Sequence, residues 1–221
     1  MTIKKLFGNK GAEKAEGFVV VIDIVRAATL EAVTLARGAK YIIPVASKEE
    51  AFLLKEKNPE YLIMGEEEGL KVKGFDFGNS PTELLKADVL DKVIVHRSSA
   101  GTQGLVRAKN AKHLVFGSFL TARAILKKIE ETKPETICFV VTAGEDGIFA
   151  DYMTEILYGE NPSREAVAKN LYSHPGVEWF LDMSKEEFPI EDIKVALEID
   201  KYDFYCDVKF ENGLLKTQKA K

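Results

Sequence analysis

The sequence predicts a three-layer α/β/α protein with a largely parallel, mixed sheet and a C-terminal β-hairpin. Three observations carry that prediction. Continuous Val- and Ile-rich runs such as F-V-V-V-I-D (residues 18–23) and T-I-C-F-V-V (136–141) read as strands buried on both faces. They alternate with helical stretches of roughly ten residues, the pattern of βαβ units. The same order of signals occurs twice, over residues 18–69 and 92–147, as an internal duplication of two βαβαβ halves would produce.

In the first half, strand 18–23 leads through a polar turn to a helix over Ala28–Ala36. Strand 41–45, helix 47–55 and strand 61–64 follow, and the half ends on the acidic turn G-E-E-E-G at 65–69. In the second half, strand 92–95 leads through H-R-S-S-A-G-T to a helix over 103–108. Strand 113–116, helix 119–128 and strand 136–141 follow, and the last turn is G-E-D-G at 144–147. Ala28 matches Ala100, Ala36 matches Ala108, Ala39-Lys40 matches Ala111-Lys112, and Pro59-Glu60 matches Pro134-Glu135. Between the halves, L-K-V-K-G-F-D-F-G-N-S-P (70–81) is a shaped loop in which Ser80 can cap a helix that begins at Pro81. Residues 152–200 read as helices, and the alternating tail 202–216 turns at Glu211-Asn212-Gly213 as a hairpin. The expected organisation is one domain over residues 1–221.

Bulk properties narrow the function. The 221 residues are 46% hydrophobic, ample for a sizeable core, and the net charge of -4 comes from 31 basic and 35 acidic residues mixed along the chain. With no basic stripe, nucleic acid is not an expected partner. No apolar run approaches a membrane span, and the N-terminus lacks the apolar stretch of a signal peptide, so no membrane partner and a cytoplasmic location are expected. Cys138 and Cys206 have no metal-binding spacing, which leads us to expect neither a disulfide nor a zinc site. Self-association stays compatible with the sequence.

In parallel α/β sheets, ligands bind outside the carboxyl ends of the strands. That rule gathers four loops into one candidate site: Asp23–Arg26, Gly65–Gly69, His96–Thr102 and Gly144–Gly147. Asp23 and Arg26 could simply pair at a strand end. Alternatively the carboxylate could hold a metal while the guanidinium forks onto an anion. Of Glu66, Glu67 and Glu68, consecutive in a turn, one can face the site as metal ligand or base, and the plain alternative is a solvated turn. Arg97, Ser98, Ser99, Gly101 and Thr102 form the strongest anion signal, since backbone N–H groups there can cradle an anion that Arg97 neutralises. Asp146 and Asp151 could add carboxylates from the last loop. His96 is the one histidine in a site-like loop, whereas His113 and His174 read as structural.

Several phosphatase chemistries are absent. Residue 25 is Val, so Asp23 lacks the second acid of a D-x-D site, and Gly144 stands where a cysteine phosphatase built on Cys138 needs arginine. There is no R-H-G, no P-loop and no G-x-S-x-G.

Taken together and in order, D-I-V-R-A-A-T, G-E-x-x-G, G-F-D-F-G-N-S-P, S-A-G-T, F-G-S-F, A-G-E-D-G and the tail Y-D-F-Y-C-D-V-K-F resemble the 2-phosphosulfolactate phosphatase family, from about residue 18 to about residue 210. The resemblance implies Mg²⁺-dependent hydrolysis of 2-phospho-3-sulfolactate to sulfolactate and phosphate, a step in coenzyme M biosynthesis. By position it points to Asp23 and Arg26, Glu66, Asp76, Asn79 and Ser80, Gly101 and Thr102, and Asp146 with Asp151. The expected catalytic groups are Asp23, Arg26, Glu66 and Asp146. The expected metal ligands are drawn from Asp23, Glu66, Asp76, Asp146 and Asp151, and the expected substrate contacts from Arg26, Asn79, Ser80, Arg97, Ser98, Ser99, Gly101 and Thr102. Two positions depart from the family pattern: Glu67 stands where an arginine is usual, and Ala150 where an acid is usual. A phosphatase of another small phosphorylated hydroxy acid, or a non-catalytic sulfonate- or phosphate-binding protein, are the competing readings.

Overall fold

The Val- and Ile-rich runs become strands in a computed structural model that describes residues 1–221. In chain order the elements are β1 (Thr2–Phe7), α1 (Gly8–Lys14), β2 (Gly17–Ile22), α2 (Ala27–Ala36), β3 (Tyr41–Val45), α3 (Lys48–Lys57), β4 (Leu62–Glu67), β5 (Leu70–Lys71), α4 (Pro81–Leu84) and β6 (Val93–Arg97). There follow α5 (Gly101–Arg107), β7 (Ala111–Gly117), α6 (Ala122–Thr132), β8 (Thr136–Val141), α7 (Asp146–Leu157), α8 (Arg164–Tyr172), α9 (Glu178–Leu181), α10 (Ile190–Ala196), β9 (Tyr205–Glu211) and β10 (Leu214–Ala220). β1, α1 and β5 are additions to the expected set. No helix is long and apolar enough to cross a membrane.

One mixed sheet takes ten strands in the order β1-β8-β2-β7-β9-β10-β3-β6-β4-β5. β1, β8, β2 and β7 run parallel, as do β3, β6 and β4. The hairpin β9–β10 joins the two blocks, pairing antiparallel with β7 on one side and with β3 on the other. Its two-residue connection, Asn212-Gly213, has positive φ at both positions (54° and 80°), the geometry for which Asn-Gly is the preferred pair. The two sequence halves interleave: β2 lies between β8 and β7, and β6 lies between β3 and β4. Exchanging β2, β3, β4 with β6, β7, β8 turns the block β8-β2-β7 into β4-β6-β3, with the hairpin at the centre.

Alternate residues of the strands feed different cores, which is why both faces carry helices. From β2 and β8, Val19, Val21, Cys138 and Val140 point to one core with α2 and α5, while Phe18, Val20, Phe139 and Val141 point to another with α6, α7 and α8. Ile43, Val45, Ile63 and Val95 form a third cluster beneath α3. Nearly all of α2 is buried, Ala27 to Leu35, since it lies across the central strands and under α4 and α5. Its all-round apolar sequence suits that position. Cys138 and Cys206 are buried free thiols.

Phe139 is fully buried in the second core, whereas Phe210 on the hairpin is 74% exposed. Phe139→Ala is expected to cost about 3–5 kcal/mol in denaturant unfolding. Phe210→Ala should stay within about 0.5 kcal/mol of the wild type.

Candidate active site

The hairpin reverses strand direction three times between β7 and β3, so β2 and β6 run oppositely within the sheet. Their carboxyl ends nevertheless meet. Twist of about 20–25° per strand pair accumulates to roughly 100° over the five steps from β2 to β6, enough to turn the two ends toward each other. The contact is intimate: a Cβ on Gly101 would lie 2.6 Å from Asp23 Oδ2 and 2.6 Å from Phe116 Cζ. Only glycine lets the start of α5 approach Asp23 so closely.

Four buried carboxyl groups, Asp23, Glu66, Glu145 and Asp146, lie where the four loops converge. Asp23 closes β2, and its Oδ1 accepts the Ala27 N–H at 2.9 Å. Burial raises its pKa; the Ala27 N–H opposes this, and the charge of Glu66 adds to it. Asp146 is fully buried and saturated: Oδ1 accepts from Ile24 N (2.8 Å), while Oδ2 accepts from Thr142 N (3.2 Å), Thr142 Oγ1 (2.9 Å) and Ala143 N (2.8 Å). Burial, then the charges of Asp23 and Glu145, push its carboxyl well above the ordinary range. Glu66 is also fully engaged, accepting from Gly69 N (2.6 Å), from Ser99 Oγ (3.1 Å) and from Ser99 N.

Glu145 differs from all three. It is 6% exposed, yet it caps nothing at the start of α7 and accepts no hydrogen bond from another residue. Burial, with the Asp23 charge as a further cause, pushes its carboxyl up to about 7. A free, buried acid with such a pKa is a mark of functional sites.

The expected anion cradle is present; its backbone donors are taken, while the Nε of Arg97 is buried without a hydrogen-bond partner. Ser98 and Thr102 bond reciprocally, Ser98 N to Thr102 Oγ1 at 2.9 Å and Thr102 N to Ser98 Oγ at 3.0 Å. Ser99 N serves Glu66, and Gly101 N faces Asp23. Arg97 reaches the Glu66 carbonyl and Ser99 Oγ, and its Nη2 lies 3.6 Å from Glu67. Glu67 turns outward to Lys48 at 2.6 Å, and that hydrogen bond lowers its pKa.

Asp23 and Arg26 do not pair. Arg26 is buried, with Nη1 on the Glu187 carbonyl (2.9 Å) and 3.4 Å from Asp192, Nη2 on the Gly69 carbonyl (2.8 Å), and the guanidinium over Phe188 and Phe180. Ser80 caps α4 as expected and donates to Asp192 at 2.7 Å, so its hydroxyl is also committed. Asn79 Oδ1 meets His96 Nε2 at 3.1 Å, and His96 Nδ1 meets Glu31 Oε1 at 2.8 Å, making a buried chain of three polar side chains beside Asp23.

Two expected ligands stand outside the cluster. Asp76 accepts from Ile63 N (2.8 Å) and sits 3.5 Å from Lys55, at the opposite end of β4 from Glu66. Asp151 is 62% exposed on α7 and pairs with Lys5 of β1. Five residues along a helix turn it through roughly 500°, onto a different face from Asp146. Glu145 is the group that sequence reasoning passed over. Its signal was the acidic pair inside G-E-D-G, but adjacent acids point in different directions and only the fold says which one is free.

A model of the 2-phosphosulpholactate phosphatase family matches residues 6–207. A probable 2-phosphosulfolactate phosphatase of Bacillus subtilis is 30% identical over 204 residues, covering 90% of this chain and 89% of its own length. One from Carboxydothermus hydrogenoformans is 39% identical over 151 residues (68% of this chain, 62% of its own), and one from Thermoplasma volcanium 30% over 189 (83% and 85%). With that match running from β1 into β9 and taking in every loop of the carboxylate cluster, the chain belongs to the 2-phosphosulfolactate phosphatase family.

Proposed function

We propose that this chain hydrolyses the phosphate ester of 2-phospho-3-sulfolactate with Mg²⁺, releasing sulfolactate and phosphate, as a step of the kind used in coenzyme M biosynthesis. The observation that carries the reading is the cluster of buried carboxyl groups at the loop junction of a chain of this family. Its negative charge has no basic ion-pair partner, for Arg26 is paired with Asp192, and Lys48 and Arg97 with Glu67. Hard carboxylate oxygens in that condition fit a magnesium ion, with Asp23 as its central ligand. Bound there, the ion would supply charge neutralisation for the phosphoryl oxygens and lower the pKa of a coordinated water.

The chain's own residues do the rest. Water attacks phosphorus in line as the ester P–O bond breaks; one of the carboxylates flanking Asp23 takes the water's proton, and the sulfolactate oxygen departs with the bonding electron pair and is protonated from solvent. Gly101 admits the α5 start to the Asp23 carboxylate and so fixes where that carboxylate points. Asn79 is held in place by His96, which Glu31 holds in turn.

Asp23→Asn should lower Mg²⁺-dependent phosphate release from phosphosulfolactate on the order of 10³-fold, the loss of several kcal/mol of transition-state stabilisation. Asp76→Asn and Asp151→Asn should remain close to wild type in the same assay, and equal losses in all three would sink the site. Gly101→Ala forces the Asp23 carboxylate or Phe116 to move, so kcat should fall about 100-fold while circular dichroism stays native. Wild-type kcat in Gly101→Ala would mean that the position of Asp23 does not matter to the chemistry.

A further inference from the structure

Arg97 ends β6 and opens the loop that leads to Asp23, and its guanidinium is only half engaged. Nη1 donates to the Glu66 carbonyl and, at 3.1 Å, to Ser99 Oγ. Nε is buried with no hydrogen-bond partner, and Nη2 reaches Glu67 Oε1 at 3.6 Å, longer than a hydrogen bond. The Nε–H and an Nη2–H lie along one edge of the planar group, an edge able to grip two oxygens of an acid side by side. In Arg97 that edge carries no hydrogen bond. A buried donor left unsatisfied costs free energy, so the arrangement calls for a partner.

Lys48, at the start of α3, extends the positive charge. Its Nζ lies 2.6 Å from Glu67 Oε2, so the Glu67 carboxylate sits between two cations with one oxygen toward each. Two positive charges then face one negative. Glu66 does not make up the difference, since its carboxylate turns to Ser99 and Gly69 and its carbonyl alone meets Arg97. The side chains of Lys48 and Glu67 are 39% and 43% exposed, and an ion pair so open to water is weak enough to exchange its anion.

We propose that the open edge of Arg97 and the ammonium of Lys48 form the subsite for the sulfonate of the substrate, and that Glu67 is a resident counter-ion which the sulfonate displaces. The inference rests on the phosphosulfolactate reading and adds to it the residues that tell a sulfonated substrate from an unsulfonated one. A carboxylate already stands between the two cations, so an acid group fits there. A sulfonate brings three oxygens where a carboxylate brings two, matching the three donors Arg97 Nε, Arg97 Nη2 and Lys48 Nζ. The subsite also lies on the loop that borders the carboxylate cluster. Ser99 ties Arg97 to Glu66, and Gly101, two residues further on, comes against Asp23.

The test compares kcat/KM of the full-length chain for 2-phosphosulfolactate and for 2-phospholactate, which carries hydrogen in place of the sulfonate. Lys48→Met should lower the ratio of the two about tenfold, the loss of one charge-assisted hydrogen bond, and Lys48→Arg should keep most of it. Glu67→Gln, which removes the competing anion, should raise the ratio. Lys55→Met, beside Asp76 at the other end of β4, should leave it at the wild-type value. Lys48 carries the test because Arg97 also holds the Glu66 carbonyl, and its replacement would disturb the loop itself. An unchanged ratio in Lys48→Met, whether both substrates lose equally or neither does, overturns the subsite and leaves the phosphatase reading standing. Calorimetric binding of sulfolactate, with lactate as the control, separates the two ideas from the other side. If wild type turns over neither substrate yet binds sulfolactate, and Lys48→Met binds it about tenfold more weakly, the subsite stands and the phosphatase reading falls. If wild type neither turns over nor binds, both fall.

Discussion

The buried Asp146 carboxylate is the interaction on which the site depends. It accepts a hydrogen bond from the residue after Asp23 and three from the turn after β8, so it locks together two loops whose strands are sheet neighbours but lie about 120 residues apart in sequence. Asp23 is placed by that lock, since Ile24 cannot leave Asp146 without moving it. Charge-assisted bonds to backbone N–H groups are among the stronger hydrogen bonds available to a loop, and in a dry interior they are costly to leave unmade.

A second carboxylate repeats the device across the hairpin. Glu66 lies at the carboxyl end of β4 and binds the loop after β6, its sheet neighbour, much as Asp146 follows β8 and binds the loop after β2. The exchange that maps one block of strands onto the other also maps one clamp onto the other. We infer that the chain arose by duplication with interleaving of the halves, each contributing its first strand to the other's block. The loops have since diverged in what they hold: one presents Asp23 beside the clamp, the other a serine- and threonine-rich turn whose donors serve the carboxylates around it.

Much of this was legible in the residues, for identifiable reasons. Buried parallel strands have no solvent-facing positions, so their apolar runs are unbroken, and β3 and β8 take the expected bounds. Asn-Gly specified the hairpin and Ser-Pro the start of α4 through local backbone chemistry. β1 escaped notice because it is an edge strand with a weak apolar signal, its residues half-buried or exposed. Long-range partners were invisible altogether. Nothing near Arg26 announces that its guanidinium will be taken by Asp192, 166 residues away, or by a carbonyl at Gly69. The same limit explains why Asp76 and Asp151 looked eligible as ligands: each is an acid near a motif, and each is neutralised by a lysine from another element.

The fate of the arginines bears on how a phosphate could enter at all. Arg26 and Arg97 were the expected anion clamps, yet Arg26 is balanced by Asp192 and wrapped between Phe180 and Phe188, while Arg97 shares Glu67 with Lys48. Arg26 thus brings no unbalanced charge toward Asp23, whereas Arg97 and Lys48 together outnumber Glu67 by one positive charge. A dianionic phosphate approaching four carboxyl groups in a poorly solvated junction meets repulsion that rises as the local dielectric falls. Protonation of one or two carboxyls would reduce that repulsion without attracting the substrate. A divalent cation would reverse its sign, and of these carboxyl groups Glu145 alone accepts no hydrogen bond from another residue, for Asp23 takes those of Ala27 and Gly101.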